Sequence, residues 1–261
     1  MQNALYTSAT IVELLPMCVG SPIYKITLSP HSPLHQWSAG QFIMLDFGSS
    51  HLCSFARPFS IASIGASTIT LYIHIRGKET KHIRTLNKGD VLRMWGPLGN
   101  SFSPPTKETL LIAGGIGIAP FITYTNQYKT PLTFLFGHRI DKENYPLNEC
   151  STMTTCRTFH DNNSSSLQVF LDEIRATMLQ YKQGQVLACG PLPLLRYIRN
   201  LAIELDVYVE LSLEETMFCG VGACLGCVCK TTDSYPDSRY SDSYVQSCTA
   251  GPIFVAHNIL I

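Results

Sequence analysis

The sequence carries no excess of charge: 19 Lys and Arg balance 19 Asp and Glu in 261 residues, for a formal net charge of +0. Basic residues are scattered singly, so there is no stripe to neutralise a phosphate backbone, and nucleic acid is excluded as the main partner. No window approaches the ~18–20 consecutive apolar residues that cross a bilayer. The opening Met1-Gln-Asn-Ala-Leu-Tyr has neither the basic nor the apolar region of a secretory signal. A soluble cytoplasmic protein with no membrane partner is therefore expected. Repeats of about 20–50 residues are also missing, which excludes solenoids and propellers. No paired-carboxylate or Ser/His/Asp signature is present, so catalytic side chains are not expected.

What the sequence does have is ten cysteines. A chain of this size does not need disulfide staples, and without an export signal the framework reading is weak, so metal ligation is the better expectation. Cys18, Cys53, Cys150, Cys156 and Cys189 are spread singly, whereas Cys219, Cys224, Cys227, Cys229 and Cys248 crowd the end. Cys219-Gly-Val-Gly-Ala-Cys224-Leu-Gly-Cys227 followed by Cys248 is C-x4-C-x2-C…C, the plant-type [2Fe-2S] spacing. Gly220, Gly222 and Gly226 let the backbone curl and bring N–H groups to the sulfurs. A zinc site or merely buried thiols are the alternatives, but zinc usually pairs C-x2-C with a second similar knuckle. Cys229 is surplus and is read as core, while Cys248, remote in sequence, is the least constrained ligand.

The remainder falls into two stretches. Segments 7–14, 23–28, 41–46, 59–63, 68–75 and 90–94 read as short strands punctuated by Gly and Pro, which predicts a closed antiparallel barrel. From about Pro104 strand and helix alternate: strands at 110–113, 133–136, 185–189 and 207–210, helices over 118–128, 167–181 and 192–205, which predicts a parallel α/β sheet. Segment 101–106 is the expected boundary. The polar stretch 231–244 reads as an exposed loop.

Several motifs are placed by this frame. Arg57-Pro58-Phe59-Ser60 opens a strand, where the Arg can pair with a flavin diphosphate and the hydroxyl can approach the isoalloxazine. An exposed Arg-Pro turn is the bland alternative. Tyr72-Ile73-His74-Ile-Arg-Gly77-Lys-Glu79-Thr80 gives a strand, a turn and a hydroxyl suited to covering a pyrophosphate. Gly114, Gly115 and Gly117 form a strand-to-helix turn that would let helix N–H groups approach a dinucleotide phosphate; a turn needed only for helix–sheet packing is the other reading. Cys189-Gly190-Pro191 is a second such turn.

In this order Arg57-Pro-Phe-Ser, Gly96-Pro-Leu-Gly-Asn-Ser-Phe, Gly114-Gly-Ile-Gly-Ile-Ala-Pro, Cys189-Gly-Pro and the cysteine box resemble the ferredoxin-NADP reductase superfamily. The box at the C-terminus, with Ser212-Leu-Glu-Glu-Thr-Met217 before it and Cys248-Thr-Ala-Gly-Pro-Ile-Phe254 at its end, is similar to the electron transfer subunits of dihydroorotate dehydrogenase B. The resemblance implies an FAD-binding β-barrel (1–103), an NAD(P)-binding α/β domain (104–211) and a [2Fe-2S] domain (212–261). It implies FAD contacts at Arg57, Pro58, Phe59, Ser60, Tyr72, Ile73, His74, Gly77, Glu79 and Thr80, and cluster ligands at Cys219, Cys224, Cys227 and Cys248. NAD(H) falls to Gly114, Gly115, Gly117, Cys189, Gly190 and Pro191. The implied partner is an FMN-containing catalytic subunit of dihydroorotate dehydrogenase, in a heterotetramer serving pyrimidine synthesis. Other assignments share the motifs: a subunit of a sulfide dehydrogenase, hydrogenase or ferredoxin:NADP oxidoreductase, or a relay subunit that no longer uses NADH. Three departures stand out: Glu79 and Ala250 replace a usual Gly and Asp, and the stretch from His160 to Ser166 replaces a glycine-bearing Asp-Asp-Gly.

Overall fold

A computed structural model describes residues 5–32, 37–48, 55–106, 108–150, 154–233, 235 and 243–261. Cys53 and most of the stretch 231–244 lie outside them. Of the latter, Thr231 ends a strand and the Tyr235 ring approaches Phe254, with centroids 6.4 Å apart.

The first sheet is antiparallel. Its strands are β1 (Leu5–Pro16), β2 (Ile23–Pro30), β3 (Phe42–Asp46), β4 (Arg57–Ser60), β5 (Ser63–Ile64), β6 (Ile69–His74) and β7 (Val91–Leu98). Their order is β4-β3-β7-β1-β2-β6-β5. Alternation along β7 sends Leu92 and Met94 into a core with Ile11, Ile43 and Leu71 and leaves Val91 and Arg93 exposed. The end strands β4 and β5 are successive pieces of one segment, 57–64, which joins the two edges of the sheet because β4 pairs with β3 and β5 with β6; this is the antiparallel barrel expected, in half-barrel form. Between the two pieces Ile61 N–H reaches Gln41 O (3.1 Å) and Ala62 N–H turns to Thr70 O (3.0 Å), and both residues are buried. A short helix, α1 (Lys78–Lys81), lies between β6 and β7.

The second sheet holds β8 (Thr109–Gly114), β9 (Leu132–His138), β10 (Thr154–His160), β11 (Gln185–Cys189) and β12 (Val209–Ser212), joined by α2 (Ala119–Gln127), α3 (Ser164–Gln180) and α4 (Leu192–Leu205). These five strands are parallel. Every residue of β8 is buried because both faces are covered, which is why it reads as an unbroken apolar run. Leu110 and Ile112 pack toward α3 and α4, whereas Leu111 and Ala113 pack toward α2. At the expected boundary Phe102 is buried and stacks on Phe121 of α2 at 5.3 Å.

The end of the chain makes a small sheet from β13 (Val228–Thr231), β14 (Tyr244–Gln246) and β16 (Ile259–Leu260), with α5 (Ser247–Ala250) after β14. Between them β15 (Ile253–Val255) leaves this sheet and pairs antiparallel with β12, becoming the sixth strand of the second sheet. Among the described residues no helix is long and apolar enough to cross a membrane.

Candidate redox site

The two glycine turns follow β8 and β11, neighbouring strands of the second sheet, and so lie at the same end of it. They pack on each other. A Cβ on Gly117 would stand 2.4 Å from Cys189 O, and one on Gly114 would meet Pro191 Cδ at 2.7 Å. A Cβ on Gly190 would be 2.9 Å from Gly114 N. Close packing thus accounts for these glycines by itself, while Gly115 is free of such contact and takes φ +56°.

Two cavities flank the turns. The first, of about 370 Å³, is walled by Pro58, Phe59, Ser60, Tyr72, Cys189 and the segment 212–217. The second, of about 430 Å³, opens among Gly114, Gly115, His138, Arg139, Asp161 and Pro191. His74, Arg76, Ile116 and Glu214 line both. Ligands of open α/β sheets bind outside the carboxyl ends of the strands, and both cavities lie there.

Within the first cavity the strand period sorts the residues. Tyr72 and His74 line it, but Ile73 between them faces the half-barrel core, so its side chain is not on this site. Gly77, Glu79 and Thr80 line neither cavity. Thr80 Oγ1 is used locally, accepting hydrogen bonds from the N–H groups of Arg76 (3.0 Å) and Gly77 (3.1 Å). The Arg57 guanidinium does not line the cavity either; it is half-buried with no carboxylate or carbonyl partner among the described residues. Ser60 Oγ likewise makes no hydrogen bond among them. A half-buried cation without an anion beside a lined cleft suits a diphosphate, so the residues present fit a flavin nucleotide.

The charges around the cleft are shifted by identifiable causes. Burial, then the nearby Arg76 charge, lowers the His74 pKa, and Arg76 Nε donates to His74 Nδ1 at 3.3 Å. Glu214 is reachable by solvent through the cleft, yet the protein packed round its carboxyl raises its pKa, against the pull of Arg76. Cys189 is buried, which pushes its thiol up and keeps it protonated. Cys189 lines the first cavity and Pro191 the second, while Gly190 lines neither. Arg139 is ion-paired with Asp161 at 3.2 Å at the second cavity. The residues of the departure from His160 to Ser166 cap α3: Asn163 Oδ1 accepts from Ser166 N–H (2.9 Å), and Ser166 Oγ accepts from Asn163 N–H (3.1 Å).

The cysteine loop follows segment 212–217. Gly220 and Gly222 take φ +70° and +83°, and a Cβ on Gly226 would strike the Phe218 ring at 2.7 Å. Among the described residues no three or more Cys, His, Asp or Glu side chains converge on one metal position. The four thiols stand as two pairs instead, Cys219 with Cys224 and Cys227 with Cys248. Two pairs suit a binuclear cluster, in which each iron takes two thiolates. Burial pushes the Cys219 thiol up, but the N–H groups of Val221, Cys224 and Ala223 together with a hydrogen bond from the Cys224 thiol outweigh it and draw it down to about 7. A hydrogen bond from the Cys248 thiol draws Cys227 down to about 6, and the same bond holds the Cys248 proton. Cys248 N–H also points to Cys227 Sγ at 3.4 Å. Cys229 is buried, with its thiol pushed up to about 12 by burial and by Glu215, and it packs in the core with Val245 and Phe254. Cys227 and Cys248 are buried against Phe42 and Met217, which also wall the first cavity, whereas Cys224 is exposed.

Sequence reading offers Arg139, after the strand at 133–136, as a contact for a nucleotide 2′-phosphate, with a solvated residue as the other reading, but does not single out Arg76, Glu214 or Asp161 as cavity-lining residues. Their signal was positional: each follows the carboxyl end of a strand.

Comparison with known proteins agrees with this geometry. Residues 214–260 match the family described as the iron-sulfur cluster binding domain of dihydroorotate dehydrogenase B. The chain is 31% identical over 250 residues to the dihydroorotate dehydrogenase B (NAD(+)) electron transfer subunit of Listeria innocua, covering 92% of this chain and 94% of that protein. It is 29% identical to that of Caldanaerobacter subterraneus subsp. tengcongensis, covering 93% and 94%. Among solved structures, an NADH-dependent reduced ferredoxin-NADP oxidoreductase superposes with a TM-score of 0.77 at 20% identity, covering 96% of this chain and 89% of that one. The ferredoxin-NADP+ reductase of Plasmodium falciparum gives 0.64 at 19%, covering 79% and 96%. The half-barrel and the parallel sheet thus have the fold of ferredoxin-NADP reductases, and the chain belongs to the family of dihydroorotate dehydrogenase B electron transfer subunits.

Proposed function

We propose that the chain passes electrons between NAD(H), FAD and a [2Fe-2S] cluster, to or from an FMN-containing dihydroorotate dehydrogenase catalytic subunit in pyrimidine synthesis. In this reading residues 1–103, 104–211 and 212–261 work as flavin, nucleotide and cluster units of a cytoplasmic heterotetramer. The names of the relatives support the partner. One observation carries the electron route: Phe42 and Met217 line the first cavity and also pack on Cys227 and Cys248. A dry apolar contact therefore separates the flavin cleft from the buried thiol pair.

Bound there, FAD would interconvert hydride and single-electron chemistry, and the cluster would carry single electrons. The chain's own residues bind and orient. Arg57 would neutralise the diphosphate, and Ser60 would donate a hydrogen bond to the flavin ring. The second cavity, joined to the first through His74, Arg76 and Glu214, would take the nicotinamide nucleotide with Gly115 N–H at its phosphates. Cys219, Cys224, Cys227 and Cys248 would hold the cluster.

The test is anaerobic mixing of the purified, flavin-loaded protein with NADH. Bleaching of the flavin band within one turnover time is expected. An unreacted spectrum would remove the nicotinamide step and leave a relay subunit, with the second cavity serving another purpose.

A further inference from the structure

We propose that Trp95 is a positioning residue for the cysteine loop, holding by its indole N–H the peptide unit after Cys219 and thereby raising the reduction potential of the cluster. The inference rests on the reading of the four thiols as cluster ligands.

Trp95 sits near the end of β7, opposite Tyr6 of β1 and Met44 of β3. Leu92 and Met94 face the half-barrel core, so the period of two turns Trp95 to the outer face. A large indole on that face is covered from two directions. The exposed Tyr6 ring stacks on it at 5.9 Å and 28°, and the cysteine loop covers it otherwise. Its single polar atom, Nε1, donates to Cys219 O at 2.9 Å. The loop lies directly on the strands at this point: a Cβ on Gly220 would stand 2.6 Å from Met44 Cγ and 3.0 Å from Leu98 Cδ1.

This bond acts beyond anchoring. The Cys219–Gly220 peptide is trans, so its C=O and N–H point in opposite directions. Tying the carbonyl to the indole turns the Gly220 N–H away from the half-barrel. It also fixes the start of the run whose N–H groups gather on Cys219 Sγ, that of Val221 at 3.5 Å. N–H groups directed at cluster sulfurs stabilise the more negative, reduced state and so raise the potential. Trp95 packs on the apolar cluster that includes Cys227 and Cys248, but its polar reach to the cysteine loop is through the Cys219 carbonyl and the peptide it orders.

The experiment compares the anaerobic holoprotein with Trp95→Phe and with an isosteric variant in which sulfur replaces the indole N–H at residue 95. Iron per chain, the EPR spectrum of the reduced cluster and its midpoint potential are read in each. The expected result is full iron in both variants, an altered g-tensor and a midpoint shifted to more negative potential. Full iron with an unchanged midpoint would overturn the proposal. So would loss of iron from both variants, or from Trp95→Phe alone with a normal midpoint in the isostere, since Trp95 would then only hold or pack the loop. Wild-type protein purified without iron would instead overturn the cluster reading itself.

Discussion

Cys224 is exposed while Cys227 and Cys248 are buried against the half-barrel, so the four thiols differ in what their loss would disturb. Cys224→Ser would remove a proposed cluster ligand outside the first cavity, which neither it nor its partner Cys219 lines. The expected outcome is loss of visible cluster absorption and of iron, with FAD retained at wild-type stoichiometry. At this scale the spacing of the cysteines was legible because three of the ligands are local in sequence and need only a curled backbone. Their division into pairs was not, since it depends on Cys248 arriving through β14 and α5. Ile73, grouped with Tyr72 and His74 from the motif, turns its side chain into the half-barrel core, because the strand period sends only Tyr72 and His74 to the cleft. Arg76 and Glu214 lie inside quoted motifs, but their place between the two cavities emerges only where segments distant in sequence meet.

At the scale of elements, the turns after β8 and β11 are locked together. Gly117→Ala would place a methyl group against the Cys189 carbonyl at 2.4 Å, a backbone contact that cannot swing aside. Overpacking of this kind costs about 1–3 kcal/mol. The expected result is a lower denaturation midpoint with an unchanged slope in a urea titration. Strands buried on both faces, such as β8 and β11, were legible as apolar runs. β10 was not, because Thr154–His160 is an edge strand paired on one side to β9 and keeps polar residues along most of its length. From it Phe159 stacks on Phe170 of α3 at 5.0 Å, and His160 stacks on His138 of β9 at 5.0 Å. The cap of α3 was hidden likewise: Asn163 and Ser166 satisfy the helix start, where a family comparison registers only a missing glycine.

At the scale of the whole molecule, two motifs far apart in sequence prove to be one contact. Asn100, from the segment after β7, donates through Nδ2 to Ala250 O (3.3 Å) and Ile253 O (2.7 Å) and accepts from Ile253 N–H (3.0 Å). Gly99 lies against the Gly251 carbonyl, where a Cβ would be 2.6 Å away. Asn100→Ala would break three bonds, each worth about 0.5–1.5 kcal/mol net. Amide hydrogen exchange is expected to rise over residues 250–255 while the core strands β2 and β6 stay protected. Equal exchange at 250–255 in the variant and the parent would show that the three sheets do not depend on this tie.

The return of β15 to the second sheet has a consequence for the order in which the chain can be completed. A ribosome releases the half-barrel and five of the six strands before it releases Ile253–Val255. Until that moment β12 has a bare edge, and a bare edge pairs with whatever strand is at hand. The residues that cover it come directly after Cys248, so acquisition of the last thiol and closure of the nucleotide sheet fall within the same few peptide bonds of synthesis.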